Sequence, residues 1–95
     1  MKILLIEDDQ NLCNAIKLHL TKENYVVDAY TNGEDGMIYA LNPDNDYALA
    51  IIDRMLPVID GMTIIKAMRK KQISTPVIII TGMSELHDIP VMIIW

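Results

Sequence analysis

Residues 2–9 read Lys2-Ile3-Leu4-Leu5-Ile6-Glu7-Asp8-Asp9. Four consecutive aliphatic residues that end abruptly in acid show none of the alternation of a half-solvated strand. They predict a strand that is apolar on both faces, as in a parallel sheet covered by helices. The pattern recurs along the chain. Tyr25 to Tyr30 centres on Val26 and Val27, Tyr47 to Ile52 runs into Asp53, and Val77-Ile78-Ile79-Ile80 ends at Thr81-Gly82. Between these runs the period changes. Leu12, Ile16 and Leu20 recur every fourth position behind the cap-type residues Asp9-Gln10-Asn11, which predicts a first helix. Met37, Ala40 and Leu41 mark a short second helix after Thr31-Asn32-Gly33, and residues from about Met62 to Lys71 form a third after Pro57 and Asp60-Gly61. Gly36 weakens the second helix by about 1 kcal/mol relative to alanine. Asn42-Pro43-Asp44-Asn45-Asp46 is dense in turn formers and reads as a loop.

The order βαβαβαβ predicts an α/β fold, a doubly wound parallel sheet joined by right-handed crossovers. Ligands of such sheets bind beyond the carboxyl ends of the strands. Glu7-Asp8-Asp9, Asp53 and Thr81 all fall there.

At 95 residues the chain predicts a single domain. Eight basic against 13 acidic side chains leave a net charge of −5, which argues against direct nucleic-acid binding, since that needs clustered Lys and Arg. The lone Cys13 cannot form an internal disulfide, so a secreted scaffold is not indicated. The first apolar run is cut short by Glu7, well below the length of a signal peptide or membrane span. The expectation is a cytoplasmic chain with no membrane association.

If the first and third strands are neighbours, Glu7, Asp8 and Asp53 converge. Clustered carboxylates raise one another's pKa unless a cation lies among them. Hard oxygen ligands with room for water and phosphate oxygens suit Mg²⁺. Asp53 could then serve as a nucleophile that carries an acyl phosphate, with the Thr81 hydroxyl donating to a phosphoryl oxygen. The plainer alternative makes these acids helix caps and solvating groups at strand ends. It suits Asp9, which stands where an N-cap belongs, better than Asp53. A carboxylate directly after Ala50-Ile51-Ile52 is costly without a partner. His19 and His87 are too few and too far apart for a metal site. Arg69-Lys70-Lys71 reads as a helix C-terminus complementing its dipole, and Cys13 as a small packing residue or a solvent-facing thiol.

These segments resemble the receiver domain of bacterial two-component response regulators. The matching residues are Lys2 to Asp9, then Ile51-Ile52-Asp53-Arg54-Met55-Leu56-Pro57, Asp60-Gly61, and Thr75-Pro76-Val77-Ile78-Ile79-Ile80-Thr81. The wording is most similar to receivers that precede a winged-helix DNA-binding domain. The resemblance implies a flavodoxin-like receiver fold of strand order 2-1-3-4. Carried over residue by residue, it implies that Asp53 accepts a phosphoryl group from a sensor histidine kinase. It implies that Asp8, Asp53 and the Met55 carbonyl ligate Mg²⁺, with Glu7 binding through water. Thr81 would contact the phosphoryl group, Gly82 would let the backbone approach it, and Pro57, Asp60 and Gly61 would shape the neighbouring loop. Such a module is a signalling switch in transcription regulation rather than an enzyme. A hydrolase using Asp53 would need a second acid two residues on, and Met55 occupies that position.

The resemblance stops near Leu86. An intact receiver continues through further helices and a fifth strand carrying a Lys-Pro pair, whereas this sequence runs His87-Asp88-Ile89-Pro90-Val91-Met92-Ile93-Ile94-Trp95. The domain is therefore expected to be incomplete after about residue 86, with its fifth strand and last helices missing or replaced by the 89–95 tail. Read one nucleotide earlier, with permissible codon choices, Met92 to Trp95 becomes Asp-Asp-Tyr-Leu, close to the family's entry into its fifth strand. A displaced reading frame is one account of the tail, and coincidence under free codon choice is the other. The family lysine that contacts the phosphoryl group has no evident substitute. This leaves a remnant or interaction module as the alternative function. For the tail itself, an irregular cover, an antiparallel edge strand and a swapped homodimer all stay open.

Overall fold

The apolar runs assemble into one sheet in the computed structural model, which describes the backbone of residues 1–83 and 90–94 and the side chains of residues 1–80. Chain order is β1 (Lys2–Ile6), α1 (Gln10–Lys22), β2 (Val26–Tyr30), α2 (Gly33–Ala40), a 3-10 turn (Pro43–Asn45), β3 (Leu49–Asp53), α3 (Gly61–Lys70), β4 (Val77–Met83) and β5 (Pro90–Ile94). The strands lie in the order β2-β1-β3-β4-β5. The first four are mutually parallel, the doubly wound arrangement that the two-sided apolar runs predict.

Strand register divides the side chains between two faces. Leu4, Ile6, Ala50, Ile52, Val77 and Ile79 face α2 and α3, where they join Ile64, Ile65 and Met68 in the main core. Ile3 and Leu5 are buried with Cys13 on the α1 side. Cys13 is thus a packing residue, 2 % exposed. The predicted stripe of α1 is less buried than its spacing suggests, because Leu12, Ile16 and Leu20 are only half-buried. Among the described helices α1 alone packs on this side, over β1 and β2, so Ile51 and Ile78 farther along the sheet also stay half-buried.

Caps explain where the helices begin. The Asp9 carboxylate accepts from the N–H groups of Asn11 and Leu12 at 3.0 and 3.1 Å, Asn32 caps α2 and Asp60 caps α3. The third helix therefore opens at Gly61, one residue before the expected Met62. Gly36 has a packing reason beyond its low helix propensity: a Cβ there would meet the Ile6 side chain at 2.4 Å. The basic run at the end of α3 grips carbonyls directly. Arg69 Nη1 donates to the Ile73 carbonyl at 2.7 Å and Lys71 Nζ to that of Leu41 at 2.9 Å.

Two boundaries move. The third strand spans Leu49–Asp53 rather than Tyr47 to Ile52, and Tyr47 instead turns its hydroxyl to Asp28 at 2.7 Å. The expected loop at 42–46 contains the 3-10 turn, closed by Asp46 in the left-handed region at φ 49°. Of the three arrangements open for the tail, β5 takes the antiparallel edge. It pairs Ile78 with Ile94, Ile79 with Ile93 and Ile80 with Met92, with an irregularity before Met83 meets Pro90. A connection of so few residues cannot make a parallel crossover, which takes a dozen or more. Leu86, His87, the rest of 84–89, and Trp95 lie outside the described residues. Among the described residues no helix is long and apolar enough to cross a membrane.

Candidate functional site

The register of the two central strands builds the site. Ile6 stands beside Ile52, so the next residues, Glu7 and Asp53, emerge side by side at the carboxyl end of the sheet. Asp8 follows on the same turn. Carboxylate oxygens of Glu7, Asp8 and Asp53 all lie within 4.8 Å of one another. Glu7 is 2 % exposed and Asp53 7 %, whereas Asp8 is open to solvent.

Backbone donors hold the two buried acids. Asp9 N–H donates to Glu7 Oε2 at 3.0 Å, and Met55 N–H donates to Asp53 Oδ1 at 3.0 Å. The Glu7 N–H is tied to the Tyr30 carbonyl at 3.1 Å and the Arg54 N–H to the Ile80 carbonyl at 2.9 Å. All four parallel strands thus share in fixing the acids.

Burial, outweighing the Asp9 N–H and reinforced by the adjacent Asp53, pushes the Glu7 carboxyl up to about 8. Asp53 also titrates above its ordinary value, again chiefly through burial, with Asp8 adding to the shift and the Met55 N–H opposing it. With Glu7 and Asp53 both raised, the cluster favours either a bound proton or a cation among its carboxylates. The donor set is all oxygen, hard, and open to solvent on the Asp8 side, which fits Mg²⁺. Among the described residues this is the sole cluster of potential metal ligands, and His19 is exposed and apart from it.

The loop after β3 frames the mouth of the site. Gly61 N–H donates to the Arg54 carbonyl at 2.9 Å. A Cβ at Gly61 would stand 2.4 Å from the Asp53 carbonyl oxygen, so only glycine allows α3 to begin against the acid's own backbone. Asp60 accepts from Thr63 N–H at 2.9 Å, and that bond holds its carboxyl below the usual range. Ile59 N–H donates to the Pro57 carbonyl at 2.8 Å, across Val58 at φ 70°. That is a γ-turn of the rare positive-φ kind, with a β-branched residue at its centre. Met55 and Val58 are 69 % and 87 % exposed, leaving two apolar side chains on the loop beside the acids.

Glu7, Asp8, Asp53 and Met55 are therefore brought together, with Pro57, Asp60 and Gly61 on the adjoining loop. Thr81 and Gly82 fall within β4 one strand over, and their side chains lie outside the described residues. Reading the sequence missed Tyr30, which acts through its carbonyl alone. It also missed Val58, for which a β-branched residue between Pro57 and Asp60-Gly61 was the available signal.

Comparisons with known proteins agree with this geometry. The family model described as the response regulator receiver domain matches residues 3–93, a span that runs past Leu86. The chain is 47 % identical over 87 residues to the response regulator ArlR of Staphylococcus aureus, covering 92 % of this chain and 38 % of that protein. It thus spans about two fifths of the length of that relative. Among solved structures, a response regulator receiver domain protein from Clostridium thermocellum superposes with a TM-score of 0.78 at 28 % identity, covering 90 % of this chain and 68 % of that one. The receiver domain of the Francisella response regulator 1452 gives 0.74 at 32 % identity, over 82 % and 63 %. The response regulator TrrA from Thermotoga maritima, solved in complex with Mg²⁺-BeF, gives 0.68 at 29 %, over 82 % and 64 %. With its sheet order, its carboxylate cluster and a family match across nearly its whole length, the chain belongs to the response regulator receiver domains.

Proposed function

We propose that this chain is the phosphoacceptor of a two-component phosphorelay, with a sensor histidine kinase as donor and Asp53 as acceptor. The observation that carries the reading is the convergence of Glu7, Asp8 and Asp53 within 4.8 Å, two of them buried and prone to hold protons. Glu7, Asp8, Asp53 and the Met55 carbonyl would hold Mg²⁺. When bound, the cation neutralises the acids and screens an incoming phosphoryl group from them.

The residues divide the remaining work. Met55 N–H fixes Asp53 Oδ1, which leaves Oδ2 to attack. The Oδ2–P bond forms as the P–N bond to the donor imidazole breaks, and the imidazole leaves with that electron pair. Glu7 and Asp8 flank the acceptor without being consumed. Thr81, at the strand beside Asp53, takes the role of the hydroxyl that contacts the bound phosphoryl group, with Gly82 leaving room for it. Pro57, Asp60 and Gly61 keep the Met55 loop in place. The output is a shift in partner binding, not turnover, and we place it in cytoplasmic transcription regulation through a DNA-binding segment other than this acidic chain. A second copy of the chain, as a homodimer, is the other partner proposed.

One observation favours a second reading. The ion pair seen among the described residues joins Lys2 to Asp28, so no described lysine or arginine is paired with the acids. A remnant or interaction module that keeps the fold without signalling would look the same. Incubation with acetyl phosphate and Mg²⁺, followed by intact-mass spectrometry, separates the two. One added phosphoryl group, absent in Asp53→Ala, supports the phosphoacceptor. No addition to a chain that circular dichroism shows folded supports the module.

A further inference from the structure

A phosphoryl donor is an anion, and to reach Asp53 it must approach three carboxylates on a chain of net charge −5. Like charges at this range repel. A positive side chain near the acceptor would oppose that repulsion, and all eight lysines and arginines lie among the described residues, so each can be placed.

Lys2 begins β1 at the end of the sheet away from the acids, where it pairs with Asp28. The helices start beside the acids and carry their own cations away from them. Lys17 stands about two turns along α1 and Lys22 ends it, while Lys66 lies more than a turn into α3. Arg69 and Lys70 occupy the last turn of α3 and Lys71 its C-cap, and Arg69 and Lys71 are already committed to the Ile73 and Leu41 carbonyls.

Arg54 alone stands at the carboxyl end of the sheet. It follows Asp53 directly, and its backbone is fixed on both sides. Its N–H donates to the Ile80 carbonyl at 2.9 Å, and its carbonyl accepts from Gly61 N–H at 2.9 Å. The side chain is exposed and makes no ion pair among the described residues. Its charge is felt at the rim of the site. The Thr63 N–H holds the Asp60 carboxyl below its usual range, and Arg54 adds to that effect. A guanidinium is always charged, and its planar fork of donors matches the oxygens of a phosphoryl group.

We propose that Arg54 is a further residue of the phosphorylation site, whose guanidinium draws in and orients the anionic phosphoryl donor beside Asp53. The role rests on the phosphoacceptor reading. A unit charge about 8 Å from a dianion, in a dielectric close to that of water, changes a rate about fivefold. The same charge repels a divalent cation, so Arg54 should speed the arrival of the donor and weaken Mg²⁺ binding.

The test uses the whole chain with acetyl phosphate and Mg²⁺, following initial rates by intact-mass spectrometry. In this reaction the Oδ2–P bond forms as the bond from phosphorus to the acetate oxygen breaks, and acetate leaves with that electron pair. Arg54→Ala should react about fivefold more slowly, and Arg54→Glu about 25-fold. Arg54→Lys should recover most of the rate, since it keeps the charge and loses only the fork. Raising salt to about 1 M, where the Debye length falls to about 3 Å, should bring the variants together. Calorimetry without acetyl phosphate supplies a readout that damage to the fold would move the other way: Arg54→Ala should bind Mg²⁺ more tightly than the parent, and Arg54→Glu more tightly still. A parent phosphorylated at Asp53 whose Arg54→Ala and Arg54→Glu variants keep its rate would overturn the role alone. So would variants that lose rate equally at low and high salt, or that bind Mg²⁺ more weakly. A folded parent that gains no phosphoryl group would overturn the phosphoacceptor reading and this role with it.

Discussion

Replacing Glu7 with glutamine should stabilise the metal-free chain, although the position is buried and hydrogen-bonded. The Glu7 carboxyl rises from 4.5 to about 8 on folding. The folded state thus binds its proton more tightly than the unfolded state does. Stability from this group is complete below about pH 4.5 and is lost as pH rises toward 8. At pH 7 folding must protonate a carboxyl that is ionised in the unfolded chain, across about 2.5 units and hence about 3 kcal/mol. Glutamine removes that requirement but gives up the carboxylic O–H donor, worth about 1 kcal/mol. The net gain is about 2 kcal/mol, or about 10 °C in Tm for a domain of this size. Thermal unfolding by circular dichroism, with and without Mg²⁺, measures it. The gain should shrink as pH falls toward 5. Added Mg²⁺ should raise the Tm of the parent chain at pH 7 more than that of Glu7→Gln, since the cation stabilises the ionised cluster. A Glu7→Gln chain no more stable than the parent at pH 7, or a parent whose stability does not change between pH 5 and 8, would refute the reasoning.

Other perturbations probe the surrounding loop and edge. Val58→Gly should raise stability by about 1 kcal/mol in denaturant titrations, because a β-branched residue at φ 70° carries a left-handed penalty that glycine lacks. Gly61→Ala should destabilise by more than about 1 kcal/mol and weaken Mg²⁺ binding followed by calorimetry, since its methyl would press on the Asp53 carbonyl. Tyr47→Phe should cost about 1 kcal/mol in thermal unfolding by removing the 2.7 Å bond to Asp28, and should leave phosphorylation of Asp53 unchanged.

Much of this was legible because short apolar runs and caps are local signals. Ile3 to Ile6 and Val77 to Ile80 announce buried strands by composition, and Asp9 and Asp60 announce helix starts by type. The convergence of Glu7, Asp8 and Asp53 followed from one topological assumption, that β1 and β3 are neighbours, which the register satisfies. What stayed hidden depends on partners distant in sequence. Tyr47 reads as a strand residue until Asp28, 19 positions away, is seen to take its hydroxyl. Gly36 reads as a weak point until Ile6 fills the space where a Cβ would be. The tail was ambiguous because Val91 to Ile94 is apolar throughout, so periodicity could not say which neighbour it joins or in which direction.

Mapping the phosphoryl group tests the central claim most directly. The chain is treated with acetyl phosphate and Mg²⁺, reduced with borohydride to convert the acyl phosphate to homoserine, and digested for peptide mass spectrometry. The account predicts homoserine at Asp53 alone, lost when EDTA removes the metal. Modification at Glu7 or Asp8 instead, or labelling of Asp53 that persists in EDTA, would contradict it.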